Sequence, residues 1–311
     1  MRVGGVDVPP ASGGSRALPY AAVAFAACAW GTWGLVIRHT DAIAVMPATL
    51  ESALVMAVIT VVSGVASLWD RVSAPASWKT RGWVAWLGVS DSLNILLFFA
   101  AYKLTITISV LTHYLTPILV AVSAPIVLRE RMTLRTGLAI AISFAGLALM
   151  LAPSSGGVGS AAMWTSAALG AGSAVFYASN VIVNKFVVGD FSTSETMFWH
   201  GVVGTPLLAA FVPRAAWSVI DPRAAGFLAV ATIGPGALAG LAFLWGLRRM
   251  PAAHASTLTL LEPLVSIVLG AALMGEWLGL RSFGGGALIL AGALVVMTAT
   301  TSSPGPRSPR R

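Results

Sequence analysis

Three strings hold most of the chemically capable side chains of this sequence: "SDSLN" at 90–94, "LTHYLTPIL" at 111–119 and "LLEPL" at 260–264. Asp91 and Asn94 are three residues apart, so on a helix they share one face. His113, Tyr114 and Thr116 precede Pro117, and Glu262 precedes Pro263. Carboxylates, an imidazole, a phenol and a hydroxyl can take up a proton or hold the cationic or polar group of a small molecule. They do not compose a catalytic set. The string nearest to a GxSxG nucleophile elbow, "GVSDS" at 88–92, lacks the final glycine, and no HExxH occurs. Only one Asp sits at mid-membrane in a clear span, where an aspartyl protease needs two. The single cysteine, Cys28, excludes a disulfide framework, a CxxC pair and a thiolate metal site. The "GGG" at 284–286 has no lysine to make it a phosphate loop. No cofactor or metal is expected, and an intramembrane enzyme is the weaker of the readings.

The elements that carry these groups are apolar helices. The chain of 311 residues is 57% hydrophobic and 10% charged, against about 25% charged in soluble domains, and its mean hydropathy is +0.85. Runs of the length needed to cross a hydrocarbon core of ~30 Å recur throughout. They predict ten spans, at 17–37, 45–68, 82–102, 107–128, 135–151, 162–186, 194–213, 223–245, 253–275 and 282–300. The first run is too long for a signal-peptide core and reads as a retained span. Residues 1–16 form a polar arm, and the Pro/Ser/Arg-rich tail 301–311 is expected to be disordered. At ~1.5 Å per residue, Asp91 and Glu262 both fall about 16–20 Å below the same surface, near mid-membrane. His113 is shallower, and with Tyr114 it is expected on the outer approach. Glu51 and His200 lie nearer span ends, where solvation or a local partner is expected. Lys185 and Glu195 border one loop and are expected to pair. Trp69, Trp78 and Trp83 read as an interfacial aromatic belt.

Charge sets the orientation. With the N-terminus on one side, that side collects 14 of the Lys and Arg residues and the other 5. The excess predicts that both termini are cytoplasmic. The net charge of +8 is therefore read as topology, and nucleic acid is excluded as a partner.

Two segments repeat. "YLTPILVAVSAPIVLRE" (114–130) aligns with "LLEPLVSIVLGAALMGE" (260–276) at a shift of 146 residues. Pro117 falls on Pro263, Glu130 on Glu276, Arg135 on Arg281, Gly146 on Gly292 and Trp30 on Phe176. The chain thus divides into a first repeat at 17–151 and a second at 162–300. Five spans per repeat is an odd number, so the second copy enters the membrane inverted. The fold expected is an all-α polytopic membrane protein of ten helices in two inverted five-helix repeats, with the substrate near the midplane between them. A proline removes the amide that would bond the carbonyl four residues back. Pro117 frees the carbonyl of His113, and Pro263 that of Thr259. Paired breaks at equivalent positions point to a binding site. Gly236-xxx-Gly240 in "GPGALAG" (234–240) is a spacing used for close helix packing.

The sequence resembles the EamA-type branch of the drug/metabolite transporter superfamily. "AWGTWG" (29–34), which includes Trp30, is similar to that family's Trp-Gly-Ser/Thr signature, and "LLEPLVSIVLGAALMGE" to its "EP…GE" pattern. The first repeat departs from it, with Thr116 in place of the Glu and Glu51 near a position where many members have Arg. The resemblance implies a central cavity lined largely by the third, fourth, eighth and ninth spans. It also implies transport of small metabolites, often outward.

Together these readings predict a secondary transporter of the inner membrane that exports a small metabolite, an amino acid or similar amphipathic compound, by alternating access. Efflux of multiple drugs or cationic compounds, and import, are the alternatives within transporters. The expected substrate-binding residues are Asp91, Asn94, His113, Tyr114, Thr116, Glu262 and Trp30, shaped by Pro117 and Pro263. The expected partners are the small-molecule substrate and the lipid bilayer, with a homodimer admitted.

Overall fold

The computed structural model describes residues 2–3, 6–7, 17–38, 46–72, 76–151, 160–218, 220–274 and 279–299. Apart from a two-residue antiparallel pair, β1 (Arg2–Val3) with β2 (Val6–Asp7), the described elements are helices. The end of the first arm and the tail 301–311 lie outside the described residues, as do most of the 152–161 loop and Glu276.

The first repeat contributes α1 (Ala17–Trp30), α2 (Trp33–Arg38), α3 (Ala48–Ser67), α4 (Trp78–Leu104), α5 (Ile106–His113), α6 (Thr116–Val127) and α7 (Leu134–Met150). The second contributes α8 (Ser160–Val183), α9 (Thr193–Ala210), α10 (Arg214–Ser218), α11 (Pro222–Thr232), a π-helical turn (Ile233–Leu238), α12 (Ala239–Leu247), α13 (Ala252–Leu258), α14 (Leu261–Met274) and α15 (Leu280–Ala299). Seven segments among the described residues are long and apolar enough to cross a membrane. Two shorter apolar helices, α1 and α7, accompany them. Helix α9 falls outside that set because its first turns carry Ser, Thr, Glu195 and His200.

Helix starts follow ordinary capping chemistry. Ser77 accepts from the amide of Thr80, and Thr133 accepts from that of Thr136. Ser192 and Glu195 form a reciprocal capping box at the start of α9. Glu195 is thereby committed to the cap and to the amide of Val72, 3.1 Å away, so the expected pairing with Lys185 does not form. Lys185 pairs instead with Glu130 at 3.6 Å and donates to the carbonyl of Met250. Glu130 also accepts from the Ala252 amide at 2.7 Å. Burial encloses that pair, with the Lys185 side chain 9% exposed and the Glu130 side chain 8%. Burial draws Arg248 down to about 10, with Arg249 beside it adding repulsion; its guanidinium donates to the Phe191 carbonyl at 2.8 Å.

These bonds gather the ends of α3, α6, α8 and α12 with the starts of α9 and α13 on one face of the bundle, here the proximal face. Thr80 near the start of α4 joins it by donating to Asp190. On the opposite, distal face Lys103 at the end of α4 pairs with Glu51 at the start of α3, 3.0 Å apart. Glu51 is 1% exposed, so its environment is a buried ion pair and not solvent.

Helix packing follows the repeat. Helix α7 packs along α15, and α3 along α9, while α4 packs on α8 as α12 packs on α1. Glycines set the closest approaches. A Cβ on Gly146 in α7 would sit 2.6 Å from the Gly285 carbonyl oxygen in α15, and one on Gly292 2.7 Å from that of Ala139. Gly236 and Gly240 meet side chains where Gly146 meets a facing backbone. Gly236 abuts Thr232 of its own helix and Ile59, and Gly240 meets the Met197 methyl.

Four interruptions break the long spans. Residues 31–32 divide α1 from α2, 114–115 divide α5 from α6, and 259–260 divide α13 from α14. The π turn with Pro235 widens the helix between α11 and α12. At both sequence-equivalent prolines the chain tightens, with amide bonds to the third residue back: Leu115 to Thr112 at 3.2 Å, and Leu260 to Thr257 at 3.2 Å. The carbonyls that the prolines free are closed within the chain. The Thr116 hydroxyl donates to the His113 carbonyl at 2.7 Å, and the Glu262 amide donates to that of Thr259 at 3.0 Å.

Candidate functional site

A cavity of ≈ 190 Å³ lies at the middle of the bundle, and a second of ≈ 100 Å³ adjoins it. Trp30, Trp33, Phe98, Phe99 and Glu262 border both. The larger extends toward the proximal face, past Leu87, Asn184 and Met197. The smaller extends toward the distal face, past Tyr102, Ile106 and Leu151. The spans lining the larger cavity are more numerous than the third, fourth, eighth and ninth. Trp30 and Trp33 come from α1 and α2, Val55 and Ile59 from α3, Tyr177 and Asn180 from α8, and His200 from α9. Of the fourth span only His113 reaches it.

The breaks explain how large side chains enter. The turn at Gly31 carries Trp30 and Trp33 inward, and the missing Cβ lets the chain sit against the Pro263 break. A Cβ there would lie 2.7 Å from the Glu262 carbonyl oxygen and from Val265 Cβ. Glycine is therefore required at this close approach. Trp30 packs on Phe243 with centroids 5.1 Å apart, and Trp33 meets Phe99 edge-on at 6.4 Å.

Asp91 is held by three helices. Its Oδ1 accepts from Asn180 Nδ2 at 2.9 Å and from Asn94 Nδ2 at 3.4 Å, and its Oδ2 lies 3.4 Å from His200 Nε2. His200 is buried, a partner of Asp91 and not a solvated span-end residue. Asn94 continues the network. Ser173 Oγ is 2.9 Å from both the side-chain and main-chain oxygens of Asn94, and His113 Nδ1 is 2.8 Å from Ser173 Oγ. Because the one serine proton faces carbonyl oxygens, the bond to His113 requires the proton on Nδ1. His113 stacks on Tyr177 at 5.4 Å and 12°, and lies 4.4 Å from Phe98. It therefore stands in the wall of the larger cavity, deeper than an outer approach. Tyr114 is 1% exposed, borders the smaller cavity and interacts with Glu262.

Thr116 borders neither cavity; its hydroxyl is spent on the His113 carbonyl. Pro263 borders the smaller cavity, and Pro117 is buried in α6. The structure thus brings Asp91, Asn94, His113, Glu262 and Trp30 around one space, with Tyr114 and Pro263 beside it and Gly236 and Gly240 in its wall.

Sequence reasoning passed over Ser173, Tyr177, Asn180 and Asn184. Their spacing of 4, 3 and 4 residues marks one polar face of an apolar helix. That stripe was the signal, and it faces Asp91, His113 and the cavity.

Comparisons with known proteins agree with this geometry. The EamA-like transporter family matches at residues 18–152 and again at 164–298, a shift of 146 residues at both ends. An uncharacterized transporter of Archaeoglobus fulgidus is 28% identical over 212 residues, 67% of this chain and 74% of that protein. A solved crystal structure shares the fold with TM-score 0.73 at 20% identity, over 92% of this chain and 100% of its own. Each family match coincides with one repeat to within two residues, and the apolar bundle gives them a membrane setting. The chain belongs to the EamA-like transporter family: it is a multi-pass membrane transporter, not an enzyme.

Proposed function

We propose that this transporter is a secondary carrier of the inner membrane that exports a small amphipathic metabolite, of the size and character of an amino acid, by alternating access. Its scheme is ten spans in two inverted five-helix repeats, with both termini and the proximal face in the cytoplasm. The observation that carries this reading is the pair of cavities separated by Trp30, Trp33, Phe98 and Phe99 and sharing Glu262. Alternating access needs one binding group exposed to each side in turn, and Glu262 lies where the two cavities adjoin. The charge excess at the proximal loops supports the orientation. Asp91, Asn94, His113 and Glu262 supply the polar contacts, and the aromatic side chains hold an apolar body.

The test is counterflow in proteoliposomes. The expected result is saturable exchange of a labelled metabolite that falls in Asp91→Asn and Glu262→Gln. Flux unchanged in both variants removes these residues from the mechanism, and flux that never saturates makes the protein a channel.

A further inference from the structure

The two carboxylates of the cavity are not equivalent. Asp91 is already occupied by Asn180, Asn94 and His200. Glu262 borders both cavities, and its neighbours are the phenols of Tyr114 and Tyr177. Among the described residues that line either cavity there is no lysine and no arginine. A carboxylate in the middle of an apolar bundle without a cationic partner is costly, and a ligand's cation removes that cost. The walls around it are π faces. Trp30 and Phe243 stand 5.1 Å apart, and Tyr177 lies 6.3 Å from Phe243. Aromatic faces attract ammonium groups, most strongly where water is excluded. A free carboxylate on the cargo would meet Glu262 and Asp91 with no lysine or arginine to hold it, while His200 is already turned to Asp91.

From this arrangement we infer that the cargo is an organic amine carried as its ammonium ion, with an aromatic or apolar body and no free carboxylate, and that Glu262 is its counter-charge. The inference rests on the transport reading above, keeps its small amphipathic cargo and replaces the amino-acid character with that of an amine lacking the carboxylate. Asp91, already engaged by Asn180, Asn94 and His200, adds a polar contact to the same space and is not the counter-charge.

The test uses three matched indoles on purified full-length protein in detergent: tryptamine, tryptophan and indole-3-propionate. Equilibrium binding is read by scintillation proximity. The expected result is saturable binding of tryptamine, weaker binding of tryptophan and the weakest binding of the anion. In Glu262→Gln, tryptamine affinity falls by about thirtyfold or more, the loss that follows removal of one partner of a buried charge pair. Glu262→Asp keeps the charge and restores part of it, while thermal melting confirms that both variants are folded. Three results overturn the inference: equal or tighter binding of the zwitterion or anion, unchanged affinity in folded Glu262→Gln, or no tryptamine binding at millimolar concentration. Counterflow with the same indoles separates this from the transport reading. Tryptamine that binds through Glu262 but is never exchanged defeats transport and leaves the site assignment standing. Tryptophan exchanged in preference to tryptamine defeats the assignment and leaves transport standing.

Discussion

Thr116 shows how one hydroxyl decides whether a proline can sit inside a membrane helix. Pro117 cannot bond the His113 carbonyl, and hydrocarbon offers no water to do so; Thr116 Oγ1 does, at 2.7 Å. Thr116→Val leaves that carbonyl bare and is expected to cost about 1–3 kcal/mol, whereas Thr116→Ser retains most of the stability. Thermal unfolding in detergent of the two variants checks this, and equal melting temperatures would show that the hydroxyl is not the partner that matters. Lys185 and Glu130 are a second residue-scale case. Glu130 is buried and the Lys185 side chain is 9% exposed, and each also binds backbone at the start of the ninth span. Lys185→Met strands a buried carboxylate and is expected to destabilise by about 3–5 kcal/mol. The double variant with Glu130→Gln is expected to lose less than the single one, and additive losses would contradict the pairing.

At the scale of elements, glycine placement sets which helices touch. Gly146 of α7 and Gly285 of α15 face each other backbone to backbone. Gly146→Ala places a Cβ 2.6 Å from a carbonyl oxygen, so the helices must separate at about 1–3 kcal/mol. Gly137 of the same helix has open space around it, and Gly137→Ala is expected to melt at or above the wild-type temperature. The repeat matches Gly146 with Gly292 from the sequence alone. Which partner each glycine meets is a matter of crossing geometry, and that is why Gly236 and Gly240 approach the side chains of Ile59 and Met197 and not a facing backbone.

For the whole molecule, the aromatic partition between the cavities is the feature with the largest consequence. Removing a ring from it, as in Trp33→Ala or Phe99→Ala, is expected to join the two spaces and raise downhill flux several-fold in proteoliposomes without added counter-substrate. Unchanged leak would mean that the barrier lies elsewhere. The orientation is tested with single cysteines in a Cys28→Ser background. Lys79→Cys at the proximal face is expected to react only from the cytoplasm, and Ser218→Cys at the distal end of α10 only from outside. Reaction of both from the same side contradicts the proposed scheme.

Membrane location, the duplication and the family were legible in the sequence because they rest on local or periodic signals. Apolar run length reflects bilayer thickness, and the 146-residue shift survives in prolines, glycines and a few charges whose roles are backbone-level. The polar groups at mid-span were legible too, since an isolated Asp or Glu stands out in an apolar run. Their partners were not. Asp91 meets residues 89 and 109 positions away in Asn180 and His200, and Lys185 chose Glu130 over the nearer Glu195 because the helix cap had already claimed the latter. Such choices depend on which helix faces meet, and helix rotation about its own axis is fixed only by packing against neighbours. The order of residues along the chain therefore determined a duplicated bundle with acids in its middle. Only tertiary structure decided that Asp91 is tied into the frame and that Glu262 stands open to two cavities.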